Sequence, residues 1–269
     1  MDKKLIKNFD TLATNKQRQD ALTIAEAGLQ AIDTEVVLRN SIELDGTILR
    51  VAGQRFDLSR YEHTYVIGFG KVACTAAYTL EQILKDRIKD GAVVGLSERV
   101  CQTIDTYAGT HPIPSAQNYT ASKHIEEVAR SAKENDLVIV IVSGGGSALL
   151  CSTMGECDQG QKLFNAFLQS GGTIEELNTV RKHISKLKGG GLAKALYPAT
   201  VISLIFSDVP GGGVIWPQWH QVRLVLMSRL SMMHRRLSIA MIWGSSCSTK
   251  PQRTSSTLSA STTSRLFLI

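Results

Sequence analysis

The chain has 269 residues, 43% of them hydrophobic and 20% charged, with a formal net charge of +6. That length holds one large domain or two small ones, and the composition is that of an ordinary soluble globular protein. The positive charge does not point to a nucleic-acid partner. Seven basic residues and no acidic ones fall in 212–269, which leaves 23 basic against 24 acidic residues in 1–211. All three tryptophans (Trp216, Trp219, Trp243) also lie in that tail. The body is therefore close to neutral, and its charge gives no reason to expect nucleic acid.

Five scattered cysteines without a CxxC pair point to a reducing compartment and away from a zinc site. The polar N-terminus MDKKLIKNFDTLATNKQRQD has no signal-like apolar core, and no run is long enough for a membrane span. The expectation is a cytoplasmic body with no membrane partner. Composition leaves the oligomeric state open.

In chain order, apolar residues at helical spacing (Leu22, Ile24, Ala25, Leu29, Ile32) predict a helix over 17–40. A hairpin is expected around Asp45-Gly46. Tyr65–Ile67 reads as a strand ending in Gly68-Phe69-Gly70-Lys71, followed by a helix over Val72–Ile88 and a strand over Ala92–Leu96. His111-Pro112-Ile113-Pro114 reads as a rigid loop, and Ser122–Lys133 as a helix. The unbroken apolar run Leu137–Val142 suits a strand buried on both faces. It ends in Ser143-Gly144-Gly145-Gly146-Ser147. Helices over Gln159–Gln169 and Ile174–Leu187 precede a last buried strand, Val201–Phe206, which ends at Ser207-Asp208. Strands alternating with helices predict an α/β fold: a Rossmann-like parallel sheet with helices on both faces.

Several residues have the chemistry of a phosphate site. Glycines 144 to 146 after a buried strand let backbone N–H groups approach an anion closely. Gly68, Gly70 and Ala73 match a loose G-x-G-x-x-A turn, and Lys71 at its mouth could set a cation beside a phosphate; an exposed surface lysine is the plain alternative. On a continuous helix, Asn178, Arg181, Ser185 and Lys188 would share one face, with Lys182 and His183 widening it and Gly189 beginning a triple glycine. Such a cluster could neutralise phosphoryl oxygens or be a solvated basic face. Asp208, at a strand end, suits Mg²⁺ or a substrate hydroxyl, and equally a turn cap. His111, between two turn signals, could make a polar contact, but a lone histidine is more often structural. The inventory suggests phosphoryl transfer, which depends on positioning and charge stabilisation.

The segments GFGKVA, GTHPIPS, DLVIVIVSGGGSALL, SGGTIEELNTVRKHISKLKGGGLAKALYPA and SDVPG occur in this order. Over Leu22–Gly211 the chain resembles the N-terminal domain of the class II glycerate kinases, a family once called hydroxypyruvate reductases. The resemblance implies an enzyme that uses ATP and Mg²⁺ to phosphorylate D-glycerate at its 2-hydroxyl. It implies a cleft between this domain and a C-terminal domain in cis. Lys71 matches the family's catalytic lysine, and the SGGGS turn and the NTVRKHIS segment would line the cleft.

After SDVPG the resemblance stops. The family continues with an acidic turn and an A-S-G-P-T segment, then a further domain. Reading the codons for GVIWPQWHQVRL one base out of frame permits G-D-L-A-A-V-A-S-G-P-T. The slip forces alanine at Trp216-Pro217 and at Trp219-His220, because tryptophan has a single codon. The expectation is a partial kinase domain over 1–211 and an out-of-frame, poorly ordered tail over 212–269, with little or no activity in the chain. The alternatives are a nicotinamide-dependent hydroxypyruvate reductase, or a non-catalytic fragment whose basic tail binds a membrane or a partner.

Overall fold

The computed structural model describes residues 4–206 and 237–242. Asp208, Gly211–Gly213 and the remainder of 212–269 apart from 237–242 lie outside the described residues. Helices α1 (Phe9–Leu12), α2 (Lys16–Ala31) and α3 (Thr34–Ser41) open the chain. The single helix expected over 17–40 is two, because Asp33 interrupts it. Its carboxylate accepts from the N–H groups of Glu35 and Val36, at 3.0 and 3.1 Å, and starts α3 afresh. The hairpin at Asp45-Gly46 joins β1 (Ile42–Asp45) to β2 (Ile48–Val51). An unforeseen β3 (Gln54–Asp57) completes a small antiparallel sheet. QRFD has one large apolar residue, too little for a strand signal.

The body then alternates: β4 (Thr64–Phe69), α4 (Ala73–Leu84), β5 (Ile88–Gly95), β6 (Ile104–Ala108), α5 (Ala116–Ser131) and β7 (Leu137–Ser143). There follow α6 (Gly146–Leu149), α7 (Met154–Ser170), α8 (Ile174–Ile184), α9 (Gly191–Leu196), β8 (Thr200–Phe206) and β9 (Leu237–Ile242). The six strands are parallel in the order β6-β5-β4-β7-β8-β9. Of the boundaries that differ from expectation, two have a plain local cause. The helix after GFGK stops at Leu84, where Lys85 takes φ +53°, so Ile88 starts a strand. Helix α8 ends at Ile184, so Ser185 and Lys188 are not on its face. Ser185 instead folds the chain over: its Oγ accepts from the N–H groups of Leu187 and Lys188 at 3.4 and 3.3 Å. Six tail residues, expected to be poorly ordered, form β9. The outer edge of β8 offers a row of backbone groups, and Leu237–Ile242 pair with it.

Strand residues alternate between two cores. Tyr65, Ile67, Phe69, Val138, Val140 and Val142 pack with Ile125 of α5 and Leu192 and Leu196 of α9. Val66, Leu137, Ile139, Ile141 and Leu204 pack on the other face with Leu80 and Leu84 of α4, Leu38 of α3 and Leu49 of β2. Each large side chain so buried stabilises the fold by about 1.5–3 kcal/mol relative to exposure. A parallel sheet covered on both faces is what unbroken apolar strands require. The chain leaves β4 toward β5 on one side and returns to β7 on the other. The carboxyl ends of β4 and β7 therefore flank the switch point of the sheet, where open α/β folds form their ligand crevice. No described helix is long and apolar enough to cross a membrane.

Candidate active site

The two glycine turns foreseen in the sequence meet at this switch point. The N–H of Lys71 donates to the carbonyl of Gly144 at 2.9 Å, and that of Val72 to Ser143 Oγ at 3.2 Å. Gly70 has φ +125°, and a Cβ there would run into the buried Ser143, side chain and carbonyl alike. Only glycine allows the turns to close on each other. Gly68, by contrast, lies within β4 with its α-hydrogen facing Ile141.

Gly145 has φ +82°, and its missing side chain leaves space for two neighbours. A Cβ there would stand 2.9 Å from His111 Cδ2, 3.0 Å from His111 Nε2 and 3.1 Å from Lys71 Cγ. Lys71 and His111 are both exposed. Arg181 approaches from α8, where its guanidinium donates to Ser147 Oγ at 3.3 Å. Lys71, Arg181, Ser143, Ser147 and glycines 144 to 146 are thus assembled from separate stretches of chain.

His111 is the residue that sequence reasoning passed over as structural. The desolvation of its ring, followed by the charges of Lys71 and Arg181, holds its pKa below the ordinary histidine value. Its loop is fixed by Asn118, fully buried in the first turn of α5. Asn118 Oδ1 accepts from the N–H groups of Thr110 (2.9 Å) and Ser115 (3.1 Å). Its Nδ2 donates to the carbonyls of Thr110 (3.0 Å), Leu149 (3.2 Å) and Ala148 (3.3 Å). One amide therefore joins the histidine loop to the end of α6. The only signal for it in the sequence is its place three residues after Ser115, in a capping box.

The remaining basic candidates divide. Lys188 reaches the site from the loop after α8, but its Nζ faces inward. It donates to the carbonyl of Leu150 at 2.5 Å and pairs with Glu156, both side chains being 6% exposed. Burial lowers the Lys188 pKa while Glu156 opposes that shift. Glu156 also accepts from the N–H of Ser152 at 2.7 Å and from its hydroxyl. Desolvation lowers the Arg181 pKa too, and Glu156 acts against it. His183 turns back to its own helix, with Nδ1 2.7 Å from the carbonyl of Thr179. Lys182 packs against Gly189, which has φ +62°. Asn178 is buried, and its Oδ1 has no hydrogen-bond partner among the described residues.

Among the described residues the cysteines hold one pairing that the sequence does not announce. Cys151 and Cys157, six apart, form a disulfide across the turn into α7. Among the described residues one cluster has the spacing of metal ligands: Glu62, His63 and Asp136. It sits at the amino ends of β4 and β7, opposite the glycine turns. Asp136 serves there as a latch, accepting from His63 N–H (3.1 Å), His63 Nδ1 (3.1 Å) and Lys133 N–H (2.7 Å).

Two cations, an imidazole and hydroxyls around glycine turns suit an anion such as a phosphate. Residues 20–215 match the family described as "Domain of unknown function (DUF4147)". The chain is 36% identical over 199 residues to a glycerate 2-kinase of Pyrococcus horikoshii, covering 72% of this chain and 44% of that protein. It is 35% identical over 168 residues to a D-glycerate 2-kinase of Thermotoga maritima, covering 58% and 40%. The crystal structure of a glycerate kinase from Thermotoga maritima superposes with a TM-score of 0.61 at 25% identity, covering 83% of this chain and 57% of that one. The chain spans about two fifths of the length of the curated relatives it matches. By fold, by the order of its motifs and by the extent of the match, the chain belongs to the DUF4147 family, a glycerate kinase-type domain.

Proposed function

We propose that this domain is the phosphate-handling half of a glycerate 2-kinase, which transfers the γ-phosphoryl group of ATP to the 2-hydroxyl of D-glycerate. The observation that carries the reading is the convergence of Lys71 and Arg181 on the glycine turns at the β4/β7 switch point. In the proposed roles, Lys71 is the catalytic cation beside the transferring group. Arg181 and Ser147 orient phosphoryl oxygens, and glycines 144 to 146 let the nucleotide phosphates approach the backbone. Phosphoryl transfer asks for such positioned charge and little covalent help from the protein. Both cations suit the phosphates of ATP. Mg²⁺, when bound to ATP, would neutralise phosphate charge; the acid foreseen to hold it, Asp208, lies outside the described residues.

In this reading the second wall of the cleft belongs to a further domain, and the 269-residue chain alone turns over little or no glycerate. The test is ATP consumption with D-glycerate, with 2-phosphoglycerate identified as product. It compares the 269-residue chain with a version whose frame is restored after Gly211 and continued into the second domain. Activity in the longer chain that is lost in Lys71→Ala supports the reading. Full turnover by the 269-residue chain refutes the two-wall part of it. A restored chain that instead oxidises NADH with hydroxypyruvate replaces the kinase by a reductase, a reading kept open by the dinucleotide-type strand order.

A further inference from the structure

His111 has no task in the phosphate-handling scheme, yet its ring borders the glycine turn at Gly145. Its ring and the stem of Lys71 rest on the same bare α-carbon, that of Gly145. Arg181 comes to the same turn through Ser147. Among the described residues, the charged groups acting on His111 are Lys71, from the turn between β4 and α4, and Arg181, from α8. The Glu156 carboxylate of α7 is engaged by Lys188 and Ser152. The ring therefore faces two positive charges, both of which repel an imidazolium.

We propose that a dianionic phosphate-like group seated between Lys71 and Arg181 draws a proton from solvent onto His111, which then donates a hydrogen bond to it as the third ligand of the site. The proposal rests on the phosphate-site reading above. The physical reason is a reversal of sign. With the site empty, the field at His111 is that of two cations; with a dianion in place, that field is offset and a third positive charge is favoured. No covalent bond forms or breaks except the N–H bond, and up to one proton is taken up per anion bound. By linkage, anion affinity is highest at low pH and falls as pH rises from the free-state to the bound-state pKa of the ring. Desolvation of the ring, and after it the charges of Lys71 and Arg181, hold the His111 pKa below the ordinary value, which agrees with this arrangement.

Proton NMR of the histidine ring on the 269-residue chain, titrated in sodium sulfate and in sodium chloride at equal ionic strength, tests it. Sulfate keeps both charges throughout this pH range, so any titration belongs to the protein. The His111 resonance is identified as the one missing in His111→Gln. The midpoint is expected below the ordinary value in chloride and about one unit higher in sulfate, equivalent to about tenfold tighter sulfate binding at acid pH. In Lys71→Ala the chloride midpoint should rise and the sulfate response shrink. Saturable sulfate shifts at the Lys71 and Gly144 amides with an unmoved His111 midpoint would overturn the proposal and leave the anion site standing. Sulfate that moves none of these signals overturns both.

Discussion

Lys188 and Glu156 form an ion pair sealed beneath the candidate active site, each side chain 6% exposed. Through Ser152 and the carbonyl of Leu150, the pair binds the exit of the glycine turn to the loop that follows Arg181. Buried pairs of this kind contribute little net stability, yet breaking one strands the surviving charge. Lys188→Met should therefore destabilise the chain by about 3–5 kcal/mol in guanidinium unfolding. The double variant with Glu156→Leu should recover part of that loss. Equal destabilisation of the single and double variants would show that the pair is not the source.

Gly70→Ala tests the closure of the two turns. The new methyl meets Ser143 on both its side chain and its backbone, at a φ that side chains rarely adopt. The backbone conformation alone costs about 1–3 kcal/mol, and the clash adds to it. We expect a chain that unfolds at markedly lower denaturant or is recovered insoluble. Gly46→Ala, also at positive φ but with open space around it, should cost only the backbone part.

Asn118→Ala removes seven hydrogen bonds from one buried point and leaves three carbonyls, two N–H groups and the Ser115 hydroxyl short of a partner. A loss of about 2–4 kcal/mol is expected, since each stranded buried group costs about 1–3 kcal/mol and some regain water. The His111 ring signal should shift in this variant even under conditions where the chain stays folded. An unchanged His111 environment would mean that the loop is held by other contacts.

The free thiols among the described residues, Cys74 and Cys101, should be slow to react. Burial pushes the Cys74 thiol up to about 11; burial and then the nearby Glu81 carboxylate push Cys101 up to about 12. The thiolate is the nucleophile, so alkylation at about pH 8.5 should be far slower in the native chain than in urea. The linkage has a definite sign. The folded chain keeps these protons where unfolded thiols lose them, so their contribution to stability is full below about pH 8.5 and declines as pH rises above it. Native labelling as fast as that of the unfolded chain would contradict this.

Resequencing the coding DNA across Gly211–Gly213 tests the frame reading of the tail. We expect a gained or lost base there, with the alternative frame continuing through an A-S-G-P-T segment. An intact frame, with early stops in the alternative one, would end that reading.

Much of the fold is legible locally. LVIVIV and VISLIF read as strands buried on both faces, as they are, and the glycine turns at the ends of β7 and β4 mark the ligand edge. What escaped had weak or misleading local signals. IDTYA and QRFD are short and mixed in polarity, yet β6 and β3 form because neighbouring strands offer them backbone partners. The helical spacing of Asn178, Arg181, Ser185 and Lys188 was genuine arithmetic on a helix that stops at Ile184. Lys188 nevertheless arrives at the site, carried by a turn that Ser185 organises.

The residue types and their order already determined the parallel sheet, its two cores and the cationic, glycine-rich chemistry of its carboxyl edge. Periodicity and strand hydrophobicity depend on near neighbours alone. Tertiary structure decided which charges face outward and which are consumed. Lys71 and Lys188 are both lysines near glycines in the sequence. One ends exposed beside His111, and the other is neutralised by Glu156, thirty-two residues away. Burial and pairing are set by groups distant along the chain, so no local pattern could distinguish the two.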